Sequence, residues 1–272
     1  MSLSTSETLA FDSIEELKSK LAKINDHEKK ARLTRFIVSA LSNIPWIGGF
    51  IGAGSAFHAE REQGRINDLQ RLWMEEHQRK IEELAHVIFR ILDKIENAGS
   101  EAQERIASEE YQGLVRKGFK EWNDAETTEK KECIRRLLTN ASTSTLSTDD
   151  MVRLFIDWIK TYHETHFMVI REIYKHESIT RKQIWNNIST IEPAEDSTEA
   201  DLYKLLIRDL STGGIIRQVK RSTHPETSEP ASKQPKNGKY KSAFDDMEQY
   251  ELTALGQCFV RYTMEEDTSR LH

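Results

Sequence analysis

The chain has 272 residues, room for one large domain or two ordinary ones, and its 39 Lys and Arg against 45 Asp and Glu exclude a general polyanion binder. A hydrophobic content of 37% is low for a thick globular core and fits long solvated helices with narrow apolar stripes. The 5 prolines and 12 glycines mostly cluster at two places, and the nearly unbroken remainder favours helix.

Ser13 and Glu16 have capping-box spacing, which predicts a helix from about Ile14 through Leu17, Leu21 and Ile24. A second helix is expected from about His27 to Ser42, with Leu33, Phe36, Ile37, Ala40 and Leu41 on its apolar side. Asn43-Ile44-Pro45-Trp46 ends it, because proline disfavours helix in the residue before it. Phe36 to Phe57 contains no charged side chain, and an uncharged run of about 18 residues or more is a candidate membrane span. Asn43, Pro45, Gly48, Gly49, Gly52 and Gly54 equally suit a tight turn between packed helices. Gly48, Gly52 and Ala56 recur every four residues and would let two backbones approach closely. Pro45, Trp46, Gly48, Gly49, Gly52 and Ala56 therefore mark either a membrane-engaging or a tightly packed segment. Lys29, Lys30, Arg32, Arg35, Arg61 and Arg65 flank it and would suit headgroups.

Beyond the glycines only Gly64 weakens a helix that should run for roughly 48 residues to Asn97-Ala98-Gly99, about 70 Å. Ile66, Leu69 and Trp73, then Ile81, Leu84, Ile88, Ile91 and Ile95, form a coiled-coil-like seam with one phase shift across His77. One facing helix of about 16 residues could not cover it. Ile81, Leu84, Ile88, Ile91 and Ile95 are therefore expected to mediate self-association.

Shorter helices are expected over Ser108 to Trp122, over Thr127 to Ala141 with a threonine cap, and over Thr148 to about Thr161 after a polar loop at Ser142 to Ser147. From about His163 the pattern changes. One helix carries Phe167, Val169, Ile170, Ile173 and Tyr174. A second starts at Ser178-Ile179-Thr180, and a third starts at Thr198 with Leu202, Leu205, Leu206 and Leu210. Gly213-Gly214 stops the third, and Ile215 to Val219 reads as a strand. A polar stretch with Pro225, Pro230 and Pro235 reads as a mobile loop, Tyr250 to Thr253 as a strand and Ala254 to Tyr262 as a closing helix.

LYKLLIRDLSTGGIIRQV at 202–219 and YELTALGQCFVRY at 250–262 resemble a winged helix-turn-helix domain. The resemblance implies a third helix ending at glycine, an apolar pair entering the wing hairpin, and Leu-Thr-x-x-Gly opening the last helix. The chain departs from that pattern in a polar wing insertion at about 221–249. The fold class expected is mainly α: a long helical hairpin or bundle over 1–162, then a winged-helix (α+β) domain over 163–272. SEEYQGLVRKGFKEWNDAETTEKKECIRRLLTNA at 108–141 and DDMVRLFIDWIKTYHETHFMVIREIY at 149–174 resemble bacterial abortive-infection alpha-type proteins, with their Leu-Leu-x-Asn helix end. That resemblance implies phage defence and supplies no catalytic residue.

The remaining constellations are sparse. His163 and His166 lack the His-Glu-x-x-His spacing and a third ligand, so a surface or joint pair is expected rather than zinc. His77 reads as a packing residue of the seam. Cys133 and Cys258 sit in apolar stripes and read as two buried thiols in a reducing cytoplasm. Residues 1–17 have neither a basic n-region nor an apolar h-region, so no secretory signal is expected. Within 191–210, Glu192, Glu195, Asp196, Glu199, Asp201 and Asp209 outweigh Lys204 and Arg208, a poor charge for a groove-reading helix. Lys220, Arg221, Lys233, Lys236, Lys239 and Lys241 could touch a nucleic-acid backbone, which predicts weak, non-specific DNA contact at most. No phosphate-binding glycine loop or nucleophile–base pattern is present, so no cofactor is expected. The function expected is a non-enzymatic, self-associating bacterial interaction or defence protein. It would have a protein partner and sit in the cytoplasm or peripherally at the inner membrane. The alternative is a DNA-binding regulator with a helical dimerisation arm.

Overall fold

The computed structural model describes residues 27–47, 68–144, 147–191, 193–219 and 242–265, with residue 19 alone before them. The helix expected near Ile14, the residues Gly48, Gly49, Gly52 and Ala56, and the six basic residues from Lys220 to Lys241 lie outside the described residues. The protein is mainly helical with one small antiparallel sheet. It divides into two compact units. One comprises residues up to 161 together with those from 262 onward, and the other comprises 162–261. The end of the last helix, from Tyr262, groups with the first unit.

In the first unit, α1 (His27–Ser42) buries Leu33, Phe36, Ile37 and Ala40 at helical spacing. It packs on α4 (Glu109–Asp124), with the Phe36 and Tyr111 rings stacked 6.4 Å apart. The long helix α2 is described over Asp68–Asn97, and Gly99, at φ 92°, turns the chain out of it. A short α3 (Ser100–Arg105), too brief to show a period in the sequence, follows. The ends of α4 and of α5 (Thr128–Thr143) are local decisions. Ser108 and Thr127 accept hydrogen bonds from the Tyr111 and Lys130 amides. α6 (Asp149–Thr161) completes the group, packing on α4 and α5. Gly118 permits close contact there, since a Cβ would stand only 2.9 Å from a Leu138 methyl.

The seam of α2 corrects the expectation of a self-association surface. Ile81, Leu84, Ile88, Ile91 and Ile95 are each 4% exposed or less within a single chain. α1, α3 and α5 all pack against α2. One facing helix could not cover the seam, but three elements of the same chain share the task.

The Leu-Leu-x-Asn end of α5 also has a physical role. Leu137 and Leu138 are fully buried, and the Tyr111 hydroxyl donates to the Leu138 carbonyl at 2.9 Å. The buried Asn140 donates from Nδ2 to the Tyr262 carbonyl at 3.0 Å, one of the last-turn carbonyls that a helix cannot satisfy itself. Arg136 does the same for Met264 at 2.5 Å.

The second unit runs α7 (Glu164–Tyr174), β1 (Ile179–Thr180), α8 (Arg181–Ile188), α9 (Thr198–Thr212), β2 (Ile216–Gln218), β3 (Gln249–Leu252) and α10 (Ala254–Thr263). The sheet order is β1-β3-β2, both pairs antiparallel, with Ile179 opposite Tyr250 and Ile216 opposite Leu252. β1 is a correction, because Ile179-Thr180 was expected to open a helix. These two residues pair with β3, and Thr180 then caps α8 through a reciprocal bond pair with Gln183. The end of the expected wing insertion is a second correction. Ala243 and Phe244 are buried, and the Phe244 ring lies 5.8 Å from Tyr203 and 5.3 Å from Trp185.

Candidate functional site

Helix α9 carries the surface most in need of explanation. Ser197 caps its first turn by accepting from the Ala200 amide. Its inner face buries Ala200, Tyr203, Leu206, Ile207 and Leu210. Tyr203 fixes the rotation of the helix: its hydroxyl donates to the Arg181 carbonyl at 2.8 Å and its ring stacks on Phe244. Leu202 and Leu205, expected on the same apolar side as Leu206 and Leu210, instead point outward, 49% and 38% exposed. Asp201 and Arg208 flank them, with side chains 74% and 72% exposed. This outer face is apolar at its middle and rimmed with charge of both signs.

The turn before α9 is held by Glu195. Its carboxylate accepts from the Ser242 hydroxyl and, at 2.9 Å, from the Ala243 amide. Burial pushes this carboxyl up. The hydrogen bonds from Ser242 and the Ala243 and Phe244 amides, with Lys204 nearby, outweigh that and hold it below its ordinary value. A folded-state value below the unfolded one means that the clamp is complete above the ordinary carboxylate range. It fades as pH falls through the depressed value. The Ala243 amide resonance should therefore shift on acidification below the ordinary carboxylate range, and Glu195→Gln should remove that step. An Ala243 resonance unmoved over that range would show that Glu195 does not hold this segment.

The other sequence-derived candidates are scattered. Pro45 is exposed. Trp46 is half-buried, donates from Nε1 to Asn123 Oδ1 at 2.6 Å, and meets the His77 ring edge-on at 5.0 Å. Phe36, Ile37, Ala40, Ile44 and Ile47 are buried, so the described part of the uncharged run, residues 36–47, packs against the protein. No helix among the described residues is long and apolar enough to cross a membrane. His166 is buried at the start of α7. Its Nδ1 accepts from the His163 amide at 3.1 Å, and its Nε2 lies 3.9 Å from Asp209, so of the two expected readings, a surface or a joint pair, His166 departs from the surface one. Burial pushes the Cys133 thiol up to about 12, leaving it a poor nucleophile, while Cys258 is half-buried rather than buried. Glu132 gathers Arg135 at 2.5 and 2.8 Å, Arg136 at 3.1 Å and Arg90 at 3.8 Å, an ion network that ties α5 to α2.

No protein-family model matches this chain, and no curated protein or solved structure does either.

Proposed function

We propose that this chain is a non-enzymatic, self-associating interaction protein of the bacterial-defence kind, and that its second unit is a winged helix-turn-helix adapted to bind protein rather than DNA. The observation that carries this reading is the outer face of α9. A groove-reading helix offers basic and amide side chains to phosphates and base edges. Here that position offers Leu202 and Leu205 beside Asp201 and Asp209. The winged-helix reading is supported by the order helix, strand, helix, helix, hairpin, helix, and by Gly213-Gly214 after the third helix. It is further supported by Leu-Thr-x-x-Gly at the start of the last helix. The defence assignment rests on the resemblance at 108–141 and 149–174. Arg217, the one described cation of the β2 strand, pairs with Glu251 at 2.6 Å. In this reading the Asn43–Ile47 turn packs within the first unit and does not enter a bilayer.

Two measurements on the full chain test it. Sedimentation should give a mass above that of one chain. A fluorescent duplex should bind no tighter than the non-specific range of about 10⁻⁴–10⁻⁶ M at physiological salt. Site-specific binding in the nanomolar range would overturn the protein-binding reading in favour of a DNA-binding regulator. Phage plating on cells expressing the chain, compared with cells lacking it, tests the defence assignment.

A further inference from the structure

The outer face of α9 is built to pair with itself. Thr198, Leu202, Leu205, Asp209 and Thr212 follow one another at steps of four, three, four and three residues. That 3.5-residue average is the spacing of a two-helix seam, and Thr198, Leu202, Leu205 and Thr212 lie on the side away from the unit's own core, while the half-buried Asp209 also reaches back to within 3.9 Å of His166. Asp201 and Arg208 stand one heptad apart on the same flank and carry opposite charges. We infer that α9 docks antiparallel on the α9 helix of a second copy of this chain, about a two-fold axis near the middle of the helix. This rests on the self-associating reading above.

Self-complementarity is the argument for a second copy as the occupant. In an antiparallel pair Leu202 faces Leu205 of the other copy, and Leu205 faces its Leu202. Residues on one flank meet the same flank of the partner helix, so Asp201 comes beside Arg208 of the second copy, twice per dimer. A parallel pair brings neither charge an opposite. Within the chain Asp201 touches Lys204 at 3.4 Å and Arg208 touches Asp209 at 3.9 Å. Exposed contacts of that kind contribute about 0–1 kcal/mol and are readily exchanged. The face is small. A 15-residue helix is about 22 Å long and offers well under the roughly 800 Å² per partner of a standard interface. The pairing is accordingly weak and concentration-dependent.

The test is a charge reversal with rescue, read by sedimentation equilibrium of the full chain from tens of micromolar to about a millimolar. The wild type should gain mass with concentration. Asp201→Arg alone and Arg208→Asp alone each set like charges opposite one another and should weaken association by about tenfold or more. The double reversal should return to within a few-fold of wild type, because the two sites interact across the dimer. Both positions are exposed, so circular dichroism and melting should be unchanged in all variants. A wild type that associates while both single variants do so equally well overturns this pairing and leaves self-association standing through another surface. Single variants that weaken without rescue also overturn it. A wild type that stays monomeric overturns both the pairing and the self-associating reading. If that monomer's Leu202 and Leu205 amide signals shift on adding a Lys/Leu amphipathic peptide, a different protein occupies the face.

Discussion

Ile88→Asp should abolish cooperative folding of the first unit. Ile88 is fully buried in the α2 seam between Ile81, Leu84, Ile91 and Ile95, against α1, α3 and α5. The substitution removes a large apolar side chain, a loss of about 2–5 kcal/mol when truncated. It also puts a carboxyl where it has no partner, and an unpaired buried polar group adds a further cost of about 1–3 kcal/mol. Together these approach the whole stability of a typical domain, about 5–15 kcal/mol. The expected product is insoluble or lacks a melting transition, whereas Ile88→Val should cost only about 0.5–1.5 kcal/mol. The same change separates burial in one chain from burial between chains. An Ile88→Asp protein that is folded, soluble and merely smaller in mass would restore the seam as a subunit interface.

Gly256→Ala should destabilise the second unit, opposite in sign to its effect on helix propensity. In an exposed helix, alanine in place of glycine stabilises by about 1 kcal/mol. Gly256 lies in the first turn of α10, where Thr253 accepts from its amide at 2.9 Å. The Thr253 hydroxyl also donates to the Gly214 carbonyl at 2.6 Å, pinning this turn to the start of β2. A Cβ on Gly256 would collide with the Ile215 carbonyl oxygen and stand 3.0 Å from its carbon. Both are backbone atoms that cannot rotate away, so overpacking should reach the upper end of about 1–3 kcal/mol. Gly113→Ala is the control. It sits on α4, and its Cβ would meet only the flexible end of Arg116 at 3.8 Å, so it should be neutral or stabilising. Equal melting shifts for the two variants would show that the close approach is not real. The result also gives Leu-Thr-x-x-Gly a physical meaning: threonine caps and pins the helix, and glycine lets its backbone reach the strand.

Features set by a few neighbouring residues are legible in the amino-acid sequence alone. Ser108 and Thr127 announce the starts of α4 and α5, because an N-cap needs only a hydroxyl three residues from an amide. The end of α2 at Asn97 is announced by Gly99, because only glycine readily takes a φ of 92°. The buried face of α1 follows from Leu33, Phe36, Ile37 and Ala40 at helical spacing, and its end from Pro45 beyond them. The strand at Ile216–Gln218 and the closing helix follow in the same way from Gly213-Gly214 and Thr253.

The candidate site is legible in its residues and not in its direction. The segment LYKLLIRDL is apolar on more than one side. Leu202, Leu205, Leu206 and Leu210 make one helical stripe, and Tyr203, Leu206, Ile207 and Leu210 make another. Periodicity gives the two nearly equal weight. The Tyr203 bond to Arg181 and its stacking on Phe244 decide between them, and those partners lie 22 and 41 residues away. Phe244 itself is hidden in the sequence because one aromatic residue in a polar run carries no period. The pairing of Ile179-Thr180 is hidden because two residues carry none either. The seam of α2 reads correctly as apolar and wrongly as uncovered. What the sequence by itself determined is therefore each helix and the composition of its stripe, since these depend on contacts within a turn or two. Only the tertiary structure decided which stripe faces inward and how many elements share the cover. Those depend on contacts between residues far apart in the chain, whose energies no local pattern encodes.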